Sequence, residues 1–318
     1  MQVVPAHKYL TREERRELLT KSNLKAWLSI LWNYTWVVAA FALVYFFPNP
    51  LTVFVSLWIL GGKQLACAIL MHDTSHHAVF KNKRLNDIVG EWLGGYLIFN
   101  SMKNYRPYHY RHHLTNGLQD DPDLLLTRGY PASRKSMRRK FFRDLSGQTG
   151  IKALVGLFLM HLGILEYNLG GKVAKVPRNQ RPPLFKSFVQ NLLGPLVANA
   201  LLFTLLYFAG SGWLYFLWLG AYLTTFQFCL RVRSIAEHSV VADREDPFLN
   251  TRTTQANFFE QLLFAPYHVN YHAEHHMLMA VPPYHLPKMH RLLRQRGFYD
   301  RGVMASGYRE VLRGAVAA

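Results

Sequence analysis

The chain has 318 residues; half are hydrophobic, 14% are aromatic, and 37 Lys and Arg against 19 Asp and Glu give a formal charge of +18. Only two cysteines occur, Cys67 and Cys229, both within apolar runs, which excludes a disulfide framework and a thiolate metal site. A cationic excess of this size raises nucleic acid as a partner, but charges and apolar runs are segregated along this chain, which points to a membrane and away from nucleic acid.

Met1 to Lys25 is polar and charged and predicts no cleavable leader. A spanning helix needs about 20 apolar residues. Such runs cover Ala26 to Phe47, closed by Pro48-Asn49-Pro50, and Leu51 to Met71. A third extends from about Phe188 to Ala209 and a fourth from Trp213 to Leu230, joined by Gly210-Ser211-Gly212. The expected fold is an all-α integral membrane protein with about four transmembrane helices in two hairpins and a cytoplasmic helical cap. It reads as a single domain, 1–318: an N-terminal segment 1–25, a first hairpin 26–71, a stretch 72–187, a second hairpin 188–230 and a tail 231–318. The two hairpin turns lack Lys and Arg, whereas the other segments carry nearly all of them. The positive-inside rule then places both termini, 72–187 and 231–318 in the cytoplasm, with the cationic face meeting anionic headgroups. The expected location is a bacterial inner membrane.

Lys63 falls inside the second apolar run, where ionisable residues are rare and often functional; a lysine facing the bundle interior or snorkelling serves equally well, and the sequence assigns it no role. Ile88 to Phe99 and Phe258 to Ala265 are too short to span and suit the interface or the cap of a cavity, while Ile151 to Leu169 leaves the span count open. Within Met277 to Arg296, Leu286, Met289, Leu292 and Leu293 recur at helical spacing among Lys288, Arg291 and Arg294. This predicts a basic amphipathic helix on the membrane surface, with a helix packed on the cytoplasmic part as the alternative.

Three histidine clusters carry the chemistry: His72-Asp73-Thr74-Ser75-His76-His77; His109, His112 and His113; and His272, His275 and His276. Histidine is the commonest side-chain metal ligand, and residues three and four apart share a helix face. His72 and His76 therefore project together, while His77 points about 100° away and is kept as a spare. His238, after Glu237, suits a ninth ligand, and His268, four before His272, a supporting role on the same helix face. His7, His161, His285 and His290 read as structural or solvated. Ligating imidazoles need a partner on the far ring nitrogen, for which Asp73, Asp121, Asp123, Glu237 and Glu274 are placed; Asp121-Pro122-Asp123 also reads as a turn. Eight or nine imidazoles exceed one metal and suit two with four or five nitrogens each. Catalytic zinc keeps three protein ligands, so a nitrogen-rich pair points to iron and O2.

At these residues the chain resembles the membrane-bound fatty acid desaturase superfamily, the histidine-box di-iron enzymes. His72-Asp73-Thr74-Ser75-His76 looks like its first box, His109-Tyr110-Arg111-His112-His113 with Asp121-Pro122-Asp123 its second, and Asn270-Tyr271-His272-Ala273-Glu274-His275-His276 its third, while Glu237-His238 resembles the extra ligand before the third box. The resemblance implies two irons per chain, O2 as co-substrate, and His72, His76, His109, His112, His113, His238, His272, His275 and His276 as ligands. His77 departs from the usual first box. No His-Pro-Gly-Gly haem stretch, flavin or dinucleotide fingerprint or iron–sulfur cysteine set is present. Electrons are therefore expected from a separate, acidic protein of ferredoxin, rubredoxin or cytochrome b5 type, steered by the basic face.

The expected reaction is desaturation of a lipid acyl chain carried as acyl-lipid, acyl-CoA or acyl-ACP. The same scaffold admits a hydroxylase or ketolase acting on a carotenoid, alkane or other hydrophobe. A metal transporter would place its polar ligands near the midplane of broken helices, whereas these histidines flank the spans. A histidine-rich scaffold would tolerate loss of His112.

Overall fold

The computed structural model describes residues 4–170 and 173–317. The chain is mostly helical. Helix α1 (Arg12–Leu18) starts at a reciprocal cap in which Thr11 Oγ1 accepts from Glu14 N and the Glu14 carboxylate from Thr11 N. Helices α2 (Asn23–Phe46) and α3 (Pro50–Ser75) pack along one another. Between them Asn49 Oδ1 accepts from Leu51 N and Thr52 N, and Pro50, which has no N–H to satisfy, opens α3.

Next come α4 (Lys83–Trp92), α5 (Met102–Thr115), α6 (Leu124–Thr127), α7 (Arg134–Leu145) and α8 (Gln148–His161). Helices α9 (Leu184–Ser187) and α10 (Leu193–Phe208) run on through a π turn at Phe188–Leu192; α11 (Tyr215–Leu223) and α12 (Thr225–His238) meet at a break at Thr224. A short parallel pair follows, β1 (Arg252–Thr254) against β2 (Val303–Ala305), with Arg252 opposite Val303. Between and beyond them lie α13 (Phe258–Leu263), α14 (His272–Met277), α15 (Leu286–Gln295) and α16 (Tyr308–Gly314).

Among the described residues, four helical stretches are long and apolar enough to cross a membrane: Asn23–Phe46, Pro50–Ser75, Leu184–Phe208 and Gly212–His238. The ambiguous run after Ile151 does not add a fifth. It forms α8, which ends at His161 after 14 residues, and the chain turns away through Gly163 at φ +70°. Helix α3 is the axis of the structure. A Cβ on Gly61 would come within 2.4 Å of Thr225 Oγ1, and one on Gly62 within 2.6 Å of the Leu262 carbonyl oxygen. These two glycines let α12 and α13 close directly on the α3 backbone.

The basic amphipathic helix takes the alternative reading. Leu286, Met289 and Leu293 of α15 are buried in a small core with Val4, Leu10, Leu18, Met277 and Phe298, not presented to a bilayer. Arg296, just past α15, holds the Glu14 carboxylate through two contacts of 2.6 Å, so the N-terminal segment supplies the apolar surface that a lipid face would have met.

Candidate metal centre

Nine buried histidines gather in two groups. His72, His76, His109, His113 and His275 form one; His112, His238, His272 and His276 form the other. Within each group one ring nitrogen per residue lies within 4.8 Å of the rest. The division cuts across the sequence clusters. On α5, His109 and His113 are one helical turn apart and enter the five-membered group, while His112 faces the other. On α14 the assignment reverses: the one-turn pair His272 and His276 joins the four-membered group and His275 crosses to the five.

The donor set fits metal ions. His113 Nε2 lies 3.0 Å from His109 Nε2 and 3.2 Å from His275 Nε2, and His272 Nε2 lies 2.8 Å from His238 Nε2. Neighbouring nitrogens on one metal, with bonds of about 2.0–2.1 Å, fall about 3 Å apart. Among the described residues, His72 Nε2, both ring nitrogens of His76 and His276 Nε2 are buried with no hydrogen-bond partner, a costly arrangement for bare imidazoles that is relieved where one nitrogen of each ring binds a metal. Burial, reinforced by neighbouring rings, holds His109, His113, His272, His275 and His276 well below the usual imidazole range, so they are neutral and free to donate a lone pair.

The far nitrogens of His72, His112 and His238 are held as ligating rings require. His72 Nδ1 is 2.7 Å from Asp73 Oδ1, and His112 Nδ1 is 2.8 Å from Asp121 Oδ1. Asp121 also accepts from Gly117 N at 3.0 Å and Asp123 N at 2.9 Å, which fixes the turn after α5. Burial disfavours a charged His112, but Asp121 and Asp123 outweigh it and raise the ring; burial likewise raises Asp121, and the His112 hydrogen bond outweighs that and lowers it. His238 Nδ1 reaches the Asn250 carbonyl oxygen at 3.1 Å, leaving Nε2 toward the group. Glu237 lies 3.4 Å from His272 Nδ1 and accepts from Arg233 Nε at 2.5 Å, so Arg233 supports the acid that faces a histidine.

A cavity of about 600 Å³ opens onto both groups, touching His72 and His109 of the first and His112, His238 and His272 of the second. Its lining along α8 is mostly apolar, with Val155, Gly156, Leu159 and Met160, while α12 contributes Phe226 and Leu230 beside the polar Gln227, Arg231 and Ser234.

The sequence model for fatty acid desaturases matches residues 48–306. This chain belongs to the fatty acid desaturase family. It is 26% identical over 308 residues to dihydrorhizobitoxine desaturase of Bradyrhizobium elkanii, covering 92% of this chain and 82% of that one. It is 24% identical over 298 residues to the sn-1 oleoyl-lipid 12-desaturase of a Synechocystis strain, covering 88% and 79%.

Against this desaturase frame, three expected supporting residues sit elsewhere. His77 follows the end of α3 at φ +52° and turns its ring outward to Asp87, at 2.9 Å, and Arg106, at 3.1 Å. His268 is not on the helix of the third cluster. Tyr267 and His268 both have positive φ, so the chain changes direction and α14 begins only at His272. Glu274 is buried but contacts no histidine of either group; it accepts from the Thr253 and Tyr299 hydroxyls and lies 2.6 Å from His290 Nδ1. Asp123 stands back, 3.7 Å from His112 Nδ1, and takes the Tyr108 hydroxyl. His161 is buried with Nε2 3.0 Å from the Phe99 carbonyl oxygen, and His290 belongs to the Glu274 network; both are structural.

Sequence reasoning passed over Tyr105, Arg233 and Asn250. Tyr105 stacks on the His109 ring, centroids 5.0 Å apart at 14°, from one turn earlier on α5. The i, i+4 spacing carries a signal for Tyr105 with His109 and for Arg233 with Glu237. Nothing local signals the Asn250 carbonyl.

Proposed function

We propose that this chain is an O2-dependent di-iron oxidoreductase that introduces a double bond into a lipid acyl chain. The observation that carries this reading is the cavity, lined by apolar residues of α8 and by Phe226 and Leu230 of α12, which also meets histidines of both groups. The nine histidines are the proposed ligands, and iron, one of the metals that imidazole suits, is the metal proposed for them on the family's chemistry. Bound iron supplies, with O2, the oxidising power to take two hydrogens from adjacent methylenes. O2 leaves as two waters once two electrons arrive from an external carrier and two protons from solvent.

The protein's part is placement. The α8 and α12 side chains exclude water and fix which methylenes lie against the His72, His109 and His112 edges. Tyr105 holds the His109 plane, and Asp73 and Asp121 fix the tautomers of His72 and His112. Lys152, exposed on α8 and lining the cavity, suits the anionic part of a phospholipid, CoA or acyl carrier. The chain works as one domain, with residues 26–71 and 188–230 as two hairpins, and with both termini and the histidine-bearing cap on the cytoplasmic side of a bacterial inner membrane. The charge-free turns at 48–50 and 210–212 support that orientation. Ferredoxin-, rubredoxin- or cytochrome b5-type carriers fit the basic face.

Lipid profiling of a host expressing the wild type beside His275→Ala tests the reading. An acyl species lacking two hydrogens, seen only with the wild type, is expected. Gain of one oxygen instead identifies a hydroxylase, and identical profiles remove the proposal. Gly156→Phe sharpens it. A Cβ there meets nothing within 4 Å, so the ring fills the cavity, and preference should shift to shorter chains with metal content unchanged.

A further inference from the structure

A second cavity, of about 360 Å³, lies between α2, α3 and the segment from α13 to His268. It shares no lining residue with the cavity at the histidines. Lys63, the ionisable residue within the second apolar run, lines it. That side chain is 2% exposed. An ammonium has three donors, yet the one hydrogen bond Lys63 makes among the described residues is to Asn33 Oδ1, at 3.0 Å. Asn33 is committed as well, its Nδ2 donating to the Ser29 carbonyl oxygen at 3.0 Å. Among the described residues no carboxylate lies within ion-pairing distance of Lys63.

Burying a cation without a counter-charge is expensive. A snorkelling lysine relieves that cost by reaching water, but the low exposure of Lys63 excludes this. The cavity is the place from which a counter-charge can reach Lys63, and its size is within the range of small-molecule sites. The lining also contains Tyr267 and His268, both non-glycine residues at positive φ, +54° and +60°. Such backbone is uncommon and tends to occur at ligand sites. The rim is of another kind. Leu28, Trp32 and Phe258 line the cavity and are about half exposed, on the flank where α2 turns its apolar side chains outward. Tryptophan concentrates at the membrane interface. A buried cation inside and an apolar aromatic rim outside match an amphiphile with an anionic head.

We propose that this cavity binds the anionic headgroup of a membrane lipid, with Lys63 as its counter-ion and the acyl chain laid over Leu28, Trp32 and Phe258. The site is independent of the metal centre and of the reaction assigned to it.

The test uses the full chain purified in detergent, loaded from mixed micelles with phosphatidylglycerol or phosphatidylcholine, and read by native mass spectrometry. Wild type should retain phosphatidylglycerol over phosphatidylcholine by on the order of tenfold, the worth of one hydrogen bond to a charged group. Lys63→Met, of similar length without charge, should lose that preference while melting no lower than wild type. Trp32→Ala, at the exposed rim, should weaken retention with Lys63 intact, and it decides the matter should Lys63→Met fail to fold. Equal retention of both lipids by wild type, or unchanged retention in both variants, overturns the proposal. Stabilisation of wild type by inorganic phosphate alone, with no lipid retained, assigns the site to a free anion and overturns the lipid.

Discussion

The two histidine groups are built by different means. The five-membered group is made by helix packing: α3 brings His72 and His76, α5 brings His109 and His113, and α14 adds His275. Its one carboxylate contact is local, Asp73 beside His72. The four-membered group is made by tethering. His112 is fixed by Asp121 from the turn after α5, His238 by the Asn250 carbonyl, and His272 faces Glu237, itself held by Arg233. The first group inherits its geometry from the bundle, whereas the second depends on individual polar contacts, those of Asp121 and Asn250 coming from loops. Substitution of one polar residue should therefore disturb the second group more.

The largest effects come from the ligands and test whether the groups are separate. His275→Ala should remove the metal of the five-membered group and His276→Ala that of the four-membered group, each leaving one metal per chain by elemental analysis and no detectable product. Loss of both metals in either variant would merge the two groups into one cooperative unit. Asp121→Asn should come next, weakening metal retention about 10–100-fold in the four-membered group alone, read by chelator competition. Asp73→Asn should fall at the lower end of that range, about tenfold, because packing still orients His72; equal effects from the two variants would break the contrast. Smallest is Glu274→Gln. It leaves both groups in place and loses about 1–3 kcal/mol of stability, the cost of a misfit in a buried hydrogen-bond network, read as a lower melting temperature with metal content retained.

Much of this was legible in the sequence. The four apolar stretches appear within a few residues of their expected bounds at the turn ends, and run longer at the histidine ends, where α3 reaches Ser75 and α12 reaches His238. Hydropathy cannot see a helix that continues past its apolar face. The nine histidines are brought together, but their partition was not readable, because it depends on how α5 and α14 are rotated about α3. The i, i+4 rule pairs His109 with His113 and His272 with His276; it does not say that the two pairs serve opposite groups. Glu274 was misplaced for a related reason. Adjacent in sequence to His275, it lies about 100° around α14 and faces β1 and α15 instead. His268 failed because a spacing of four means a shared face only if a helix joins the two residues, and His268 itself has positive φ while α14 begins only at His272. The lipid face expected of α15 was lost to α1, whose complementary Leu18 lies far away in sequence.

The composition of the five-membered group also dictates when it can exist. A ribosome delivers His72 and His76 first, then His109 and His113, and His275 only near the end of translation. Until α14 emerges and folds back, both sets of imidazoles are incomplete. On the proposed ligand set, metal capture would be a late event in biogenesis, and a nascent chain stalled before residue 272 would lack every ligand that α14 brings to either group.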